Sequence, residues 1–154
     1  MLKPGDRAPS FALESDSGAP VSLKDFKGKS VVLYFYPRDL TPGCTQESCD
    51  FRDAYSALKR KKTVLLGISK DSVASHVKFK EKHDLPFPLL ADVAGKVCEA
   101  YGVWREKSLY GRKFMGIVRM TFVIGPDGKV LRVYDKVKVK GHVEQVLADL
   151  SNGT

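Results

Sequence analysis

Residues 30–36, Ser-Val-Val-Leu-Tyr-Phe-Tyr, form a nearly continuous apolar run. Such a run, rich in β-branched and aromatic side chains, predicts a strand covered on both faces. Pro37 ends it. Residues 63–69, Thr-Val-Leu-Leu-Gly-Ile-Ser, predict a second buried strand. Between the two, a turn rich in Pro, Thr and Gly precedes Phe51, Tyr55 and Leu58 at helical spacing, so a helix is expected from about 44 to 59. Asp71 or Ser72 is placed to cap the next helix, which carries Val73, Val77 and Phe79 to about residue 83. Pro86 and Pro88 bracket a break, and residues 89–91 suggest a short extended piece. Residues 95–101 predict a short helix containing Cys98. The polar, glycine-containing stretch 104–116 reads as a loop. Residues 121–124 predict a strand, 125–128 a turn, and 129–137 a paired strand. A last helix spans roughly 141–150, with Val143, Val146, Leu147 and Leu150 on one face.

This order, strand–helix twice and then a hairpin and a helix, implies parallel pairing early and antiparallel pairing late. The class is α/β, with a mixed central sheet flanked by helices, and a thioredoxin-like fold matches it. The absence of repeats, low-complexity tracts and long linkers predicts a single domain over residues 1–154.

Composition narrows the function. The chain of 154 residues is 43% hydrophobic and 29% charged, ordinary for a water-soluble domain. No apolar run approaches the roughly 18 residues of a membrane span, and the start of the sequence lacks the apolar segment of a secretory signal. A cytoplasmic protein without a membrane partner is expected. The net charge of +8 is spread along the chain, denser at residues 59–62 and at Lys136, Lys138 and Lys140. A solvated basic surface accounts for it. Steering of an acidic partner is the sharper reading, but no nucleic-acid-binding signature supports a nucleic-acid partner.

Three cysteines are few and odd in number, which points away from a disulfide-stapled secreted domain and toward thiol chemistry in a reducing compartment. Cys44 lies where the first buried strand hands over to a helix. A thiol in a first helical turn meets unpaired N–H groups and the positive end of the dipole, and both favour the nucleophilic thiolate. The Thr41 hydroxyl, three residues earlier, can both donate and accept, so it can hold a small polar substrate against the sulfur. Pro37 lacks an N–H and would help keep water away. Arg119, just before the strand 121–124, is the candidate cation for the thiolate and for the charge developing on the leaving oxygen.

The block Pro37-x-x-x-Thr41-x-x-Cys44 resembles the active-site signature of peroxiredoxins, and Thr41-Pro42-Gly43-Cys44-Thr45-x-Glu47-x-x-Cys49 is similar to the bacterioferritin-comigratory protein (PrxQ) subfamily. The likeness extends to Pro4-Gly5-Asp6-x-Ala8-Pro9-x-Phe11, Gly67-Ile68-Ser69 and Arg119-x-Thr121-Phe122-Val123-Ile124. It implies a thiol-dependent peroxidase with no cofactor, acting on hydrogen peroxide and organic hydroperoxides and recharged by thioredoxin or a similar dithiol protein. It further implies that Cys44 is the peroxidatic cysteine and Cys49 the resolving one, joined as a redox-active disulfide, that Pro37, Thr41 and Arg119 complete the peroxide pocket, and that the chain is a monomer.

Helical geometry adds a consequence. Residues five apart on one helix have Cα atoms roughly 9 Å apart, whereas a disulfide needs them within about 7 Å. Cys44 and Cys49 can therefore join only if the segment between them unwinds. Glu47, one turn after Cys44, is a candidate partner for Arg119, with a simple dipole-complementing acid as the alternative. Cys98 reads as a passive packed residue, with a second disulfide partner as the alternative. Trp104 could flank the pocket mouth or pack at a hairpin. Zinc is not expected, because Cys44-x₄-Cys49 lacks zinc spacing and His76, His83 and His142 form no paired motif. A thioredoxin-like oxidoreductase is disfavoured by the absence of Cys-x-x-Cys. The non-enzymatic rival is a redox-sensing or partner-binding module that uses Cys44–Cys49 as a switch.

Overall fold

The computed structural model describes residues 1–151; the expected domain runs to residue 154, and its last three residues lie outside those described. Four helices and nine strands are assigned among the described residues. The order begins β1 (Ala12–Ser15), β2 (Pro20–Ser22), a 3₁₀ turn (Leu23–Phe26), β3 (Ser30–Phe35), α1 (Pro42–Arg60), β4 (Thr63–Ser69), α2 (Val73–His83) and β5 (Leu89–Ala91). It continues with α3 (Lys96–Ala100), β6 (Trp104–Leu109), β7 (Arg112–Ile117), β8 (Met120–Ile124), β9 (Val130–Tyr134) and α4 (His142–Ser151).

Seven strands form one sheet in the order β2-β1-β5-β4-β3-β8-β9. β3 pairs in parallel with β4, and β4 with β5, while β8 runs antiparallel to β3 and β9 antiparallel to β8. This is the expected mixed sheet. The alternation of β3 side chains divides the interior. Val31, Leu33 and Phe35 face one core with Ile68, Cys98, Tyr101 and Phe122. Val32, Tyr34 and Tyr36 face the other, against Phe51 and Leu58 of α1, Phe79 of α2 and Val146 of α4. Both faces of β3 are covered, which is why its sequence is apolar without a break. No helix among the described residues is long and apolar enough to cross a membrane.

Several boundaries differ from expectation. The stretch 104–116 is not a loop but the hairpin β6–β7, with Leu109 facing Arg112 across a two-residue turn. Tyr110 and Gly111 have φ of 51° and 76°, the positive values a tight hairpin requires. Leu109, Tyr110, Phe114 and Met115 are exposed, so no buried face imposes the alternation by which strands are recognised. β9 stops at Tyr134, short of residue 137, and Lys136 has φ 50°. α1 begins at Pro42, because proline at the first helical position needs no N–H partner. β1 and β2, with no counterpart in the expected elements, are short strands at the sheet margin in which only Ser15 is buried.

Candidate active site

β3 ends beside α1, and residues 37–41 bridge them. Thr41 is the extended residue before α1, with φ −81° and ψ 153°. Cys44 therefore falls in the first turn, where N–H groups lack intrahelical acceptors, and its side chain is buried. β8 lies beside β3 with Met120 opposite Phe35, which brings Arg119 over the start of α1.

The guanidinium of Arg119 spans two partners. Nη2 donates to Cys44 Sγ at 3.4 Å, and Nη1 donates to Glu47 Oε1 at 2.6 Å. Glu47 is fully buried and its second oxygen, Oε2, has no hydrogen-bond partner among the described residues. Burial pushes the Glu47 carboxyl up to about 7, against the opposing pull of Arg119. The pairing read from the sequence is thus present, in a setting more apolar than an exposed helix end. Burial depresses the Arg119 guanidinium, but Glu47 and Cys44 outweigh it and the net shift is upward; the arginine stays a cation. A positive charge and a helix N-terminus accordingly converge on one sulfur.

Gly43 makes this approach feasible. A Cβ at that position would stand 3.2 Å from Arg119 Nη2, so a larger residue would press the guanidinium away from the sulfur. The sequence carried this signal only as part of the block Pro42-Gly43-Cys44.

Thr41 differs in detail from expectation. Its hydroxyl donates to the Arg38 carbonyl at 2.8 Å, so toward a ligand the oxygen acts as an acceptor. Pro37 is half-buried at the end of β3. Cys49 is half-buried on the same intact helix, and both thiols are free. Burial pushes the Cys49 thiol up, only partly offset by Arg52. Cys98 is fully buried, and burial followed by the Asp92 carboxylate pushes its thiol far up, as suits a packed, inert sulfur. Trp104 packs at the base of the β6–β7 hairpin, with Lys70 Nζ 3.9 Å from its ring centroid.

Two histidines are more engaged than their spacing suggested. His142 Nε2 lies 2.8 Å from Thr121 Oγ1, and burial, aided by Arg119, holds the ring down to about 4. His76 joins Asp39 and Asp71, with candidate ligand atoms within 4.8 Å of one another. Those atoms are already committed to hydrogen bonds among themselves and with Ser69, Ser75 and the Asp39 amide, which does not fit them for a metal. A signal was present: His76 shares the helical face of Val73 and Phe79.

Known proteins resemble the chain over nearly its whole length. Residues 4–133 match the AhpC/TSA family. The peroxiredoxin Bcp of Bacillus subtilis is 49% identical over 148 residues, covering 96% of this chain and 94% of that protein. A Cys-to-Ser mutant of PrxQ from Xylella fastidiosa superposes with a TM-score of 0.93 at 35% identity, over 98% of this chain and 96% of the other. The bacterioferritin comigratory protein of Xanthomonas campestris, studied for alkyl peroxide reduction, superposes with a TM-score of 0.88 at 40% identity, over 92% and 90%. These similarities establish the thioredoxin-like fold, and with it the chain belongs to the AhpC/TSA family as a peroxiredoxin of the Bcp/PrxQ kind.

Proposed function

We propose that this peroxiredoxin reduces hydroperoxides through a cycle confined to α1. The observation that carries the proposal is the Arg119 guanidinium 3.4 Å from Cys44 Sγ, at the first turn of the helix. The Cys44 thiolate attacks the distal oxygen of ROOH; the O–O bond breaks, sulfur becomes a sulfenic acid, and RO⁻ takes a proton to leave as ROH. Arg119 and the N–H groups of the first turn stabilise the charge developing on the leaving oxygen. The Thr41 oxygen accepts from the peroxide O–H and sets its orientation. Pro37 closes one side of the pocket.

The Cys49 thiol then attacks the sulfenic sulfur, forming the Cys44–Cys49 disulfide and releasing water. A dithiol protein of the thioredoxin type returns both sulfurs to thiols while its own pair is oxidised. Because both cysteines share one helix, the helix must open between them, and a second subunit is not needed. A monomer, one domain over residues 1–154, and a reducing cytoplasmic compartment complete the reading.

The test couples hydrogen peroxide or an alkyl hydroperoxide to thioredoxin, its reductase and NADPH. Sustained NADPH oxidation that Cys44→Ser abolishes is the expected result. Cys49→Ser is expected to consume one equivalent of peroxide and then stall. Wild-type protein that turns over once and stops with every dithiol reductant would instead indicate a redox-sensing module.

A further inference from the structure

Away from the two cysteines, a deeply buried polar cluster surrounds His76. The ring is fully buried, with Nδ1 2.7 Å from Asp39 Oδ2 and Nε2 2.9 Å from the Leu90 carbonyl oxygen. A carbonyl only accepts, so Nε2 carries a proton. Asp39 receives two further donors, the Tyr36 hydroxyl on Oδ1 at 2.6 Å and the Ser75 hydroxyl on Oδ2 at 2.8 Å. Asp39 thus accepts on both oxygens, and a proton on Nδ1 completes the contact at Oδ2. A ring that donates from both nitrogens is an imidazolium. Burial opposes that charge, but the hydrogen bond and charge of Asp39 outweigh it, with a smaller contribution from Asp71. The titratable groups around the ring are thus Asp39 and Tyr36 from the β3 end and Asp71 from the turn before α2.

Asp39 lies midway along the bridge between Pro37 and Thr41. Its backbone N–H donates to Asp71 Oδ2 at 2.8 Å, an oxygen that also accepts from Ser69 Oγ at 2.6 Å. The next residue, Leu40, has φ 64° and a 45% exposed side chain. A non-glycine residue in that conformation is strained and persists only where its surroundings enforce it. An exposed side chain cannot supply the enforcement. The neighbours can: Asp39 is clamped on one side, and Thr41 opens the helix on the other.

We propose that His76, as a buried imidazolium, is a positioning residue for the peroxide reaction, fixing through Asp39 the bridge that sets Thr41 and the first turn of α1 around Cys44. The proposal rests on the peroxidase reading above, but part of its test does not. Ring ¹⁵N NMR of the wild-type protein is expected to show both His76 nitrogens protonated at neutral pH. As pH rises through the raised His76 value, one proton is lost and the peroxide rate of Cys44 falls in step. His76→Gln, which can donate to Asp39 without charge, is expected to slow Cys44 oxidation by about tenfold to a hundredfold at neutral pH and to lack that alkaline limb. A merely structural histidine would lower stability and leave the pH profile unchanged.

Asp39→Asn serves as the second variant should His76→Gln fail to fold: His76 is expected to deprotonate at lower pH, with the rate limb moving with it. A singly protonated His76 at neutral pH, or a rate limb that does not move in Asp39→Asn, would overturn the proposal. Arg119→Met separates the two readings, because it is expected to slow peroxide attack by about 10²–10³ while leaving the His76 signals unchanged. Loss of peroxide activity from the wild-type protein with an intact imidazolium would count against the peroxidase reading and leave the clamp standing as geometry.

Discussion

Tyr34 and Ser48 share a buried hydrogen bond of 2.8 Å between the C-terminal end of β3 and the second turn of α1. Ser48 adjoins Cys49, so the bond pins the helix at the point where it must open for the two cysteines to meet. Gly67 leaves room for it: a Cβ there would stand 2.9 Å from the Tyr34 hydroxyl. Tyr34→Phe removes one partner and leaves a buried Ser48 hydroxyl unsatisfied, at a cost of about 1–3 kcal/mol. Expected are a Tm lower by about 2–4 °C per kcal/mol and faster disulfide formation after peroxide, with the initial attack rate unchanged. Stopped-flow measurement of the two phases checks this; an unchanged second phase would show that the bond does not restrain opening.

Oxidation is expected to dissolve the start of α1. Amide exchange across residues 44–52 should be slow in the reduced protein and faster once Cys44 and Cys49 are joined, because roughly 9 Å of helical separation cannot accommodate the bond. Equal protection in both states would rule out the local unwinding step.

Arg119→Met removes the cation 3.4 Å from Cys44 Sγ and is expected to slow peroxide attack by about 10²–10³. Arg119→Lys should recover little, since one ammonium cannot reproduce a planar fork shared between Sγ and Glu47. Pseudo-first-order loss of the free Cys44 thiol reads both.

Glu47 gives a stability signature. Its folded value of about 7 exceeds the ordinary 4.5, so the folded state holds the proton more tightly between those values. The stability associated with it is full below about pH 4.5 and declines as pH rises through about 7. Glu47→Gln is expected to flatten the urea midpoint over this window; parallel curves for the two proteins would refute the assignment.

His142 acts with the opposite sign. Held at about 4 against an ordinary 6.5, it stabilises the fold above pH 6.5, and that contribution is lost as pH falls through about 4. His142→Gln, able to keep a bond to Thr121, should soften acid unfolding. The acid midpoint followed by circular dichroism checks it.

The elements readable from the chain were those whose burial leaves a periodic trace. β3, β4, α1 and α2 carry core side chains, and their apolar runs or helical spacing reflect it. The β6–β7 hairpin and β1–β2 leave no such trace. Backbone pairing holds them with little burial, and backbone hydrogen bonds are the same for every residue but proline. The local block at residues 37–49 was legible for a different reason: a first-turn cysteine, an early proline and the threonine before them are neighbours in sequence, so their chemistry can be read before any fold exists.

What lies 37 or more positions apart could not be read from neighbouring residues alone. The Arg119 fork to Cys44 and Glu47 exists only because β8 pairs with β3. The Asp39–His76 pair likewise depends on α2 packing beside the end of β3. Sequence alone determined which residues can hold charge, donate protons or attack an oxygen. Tertiary packing decided which of them lose water and which partner each then meets. Electrostatic interactions fall with distance and strengthen as water is excluded, so charge and reactivity were settled in three dimensions.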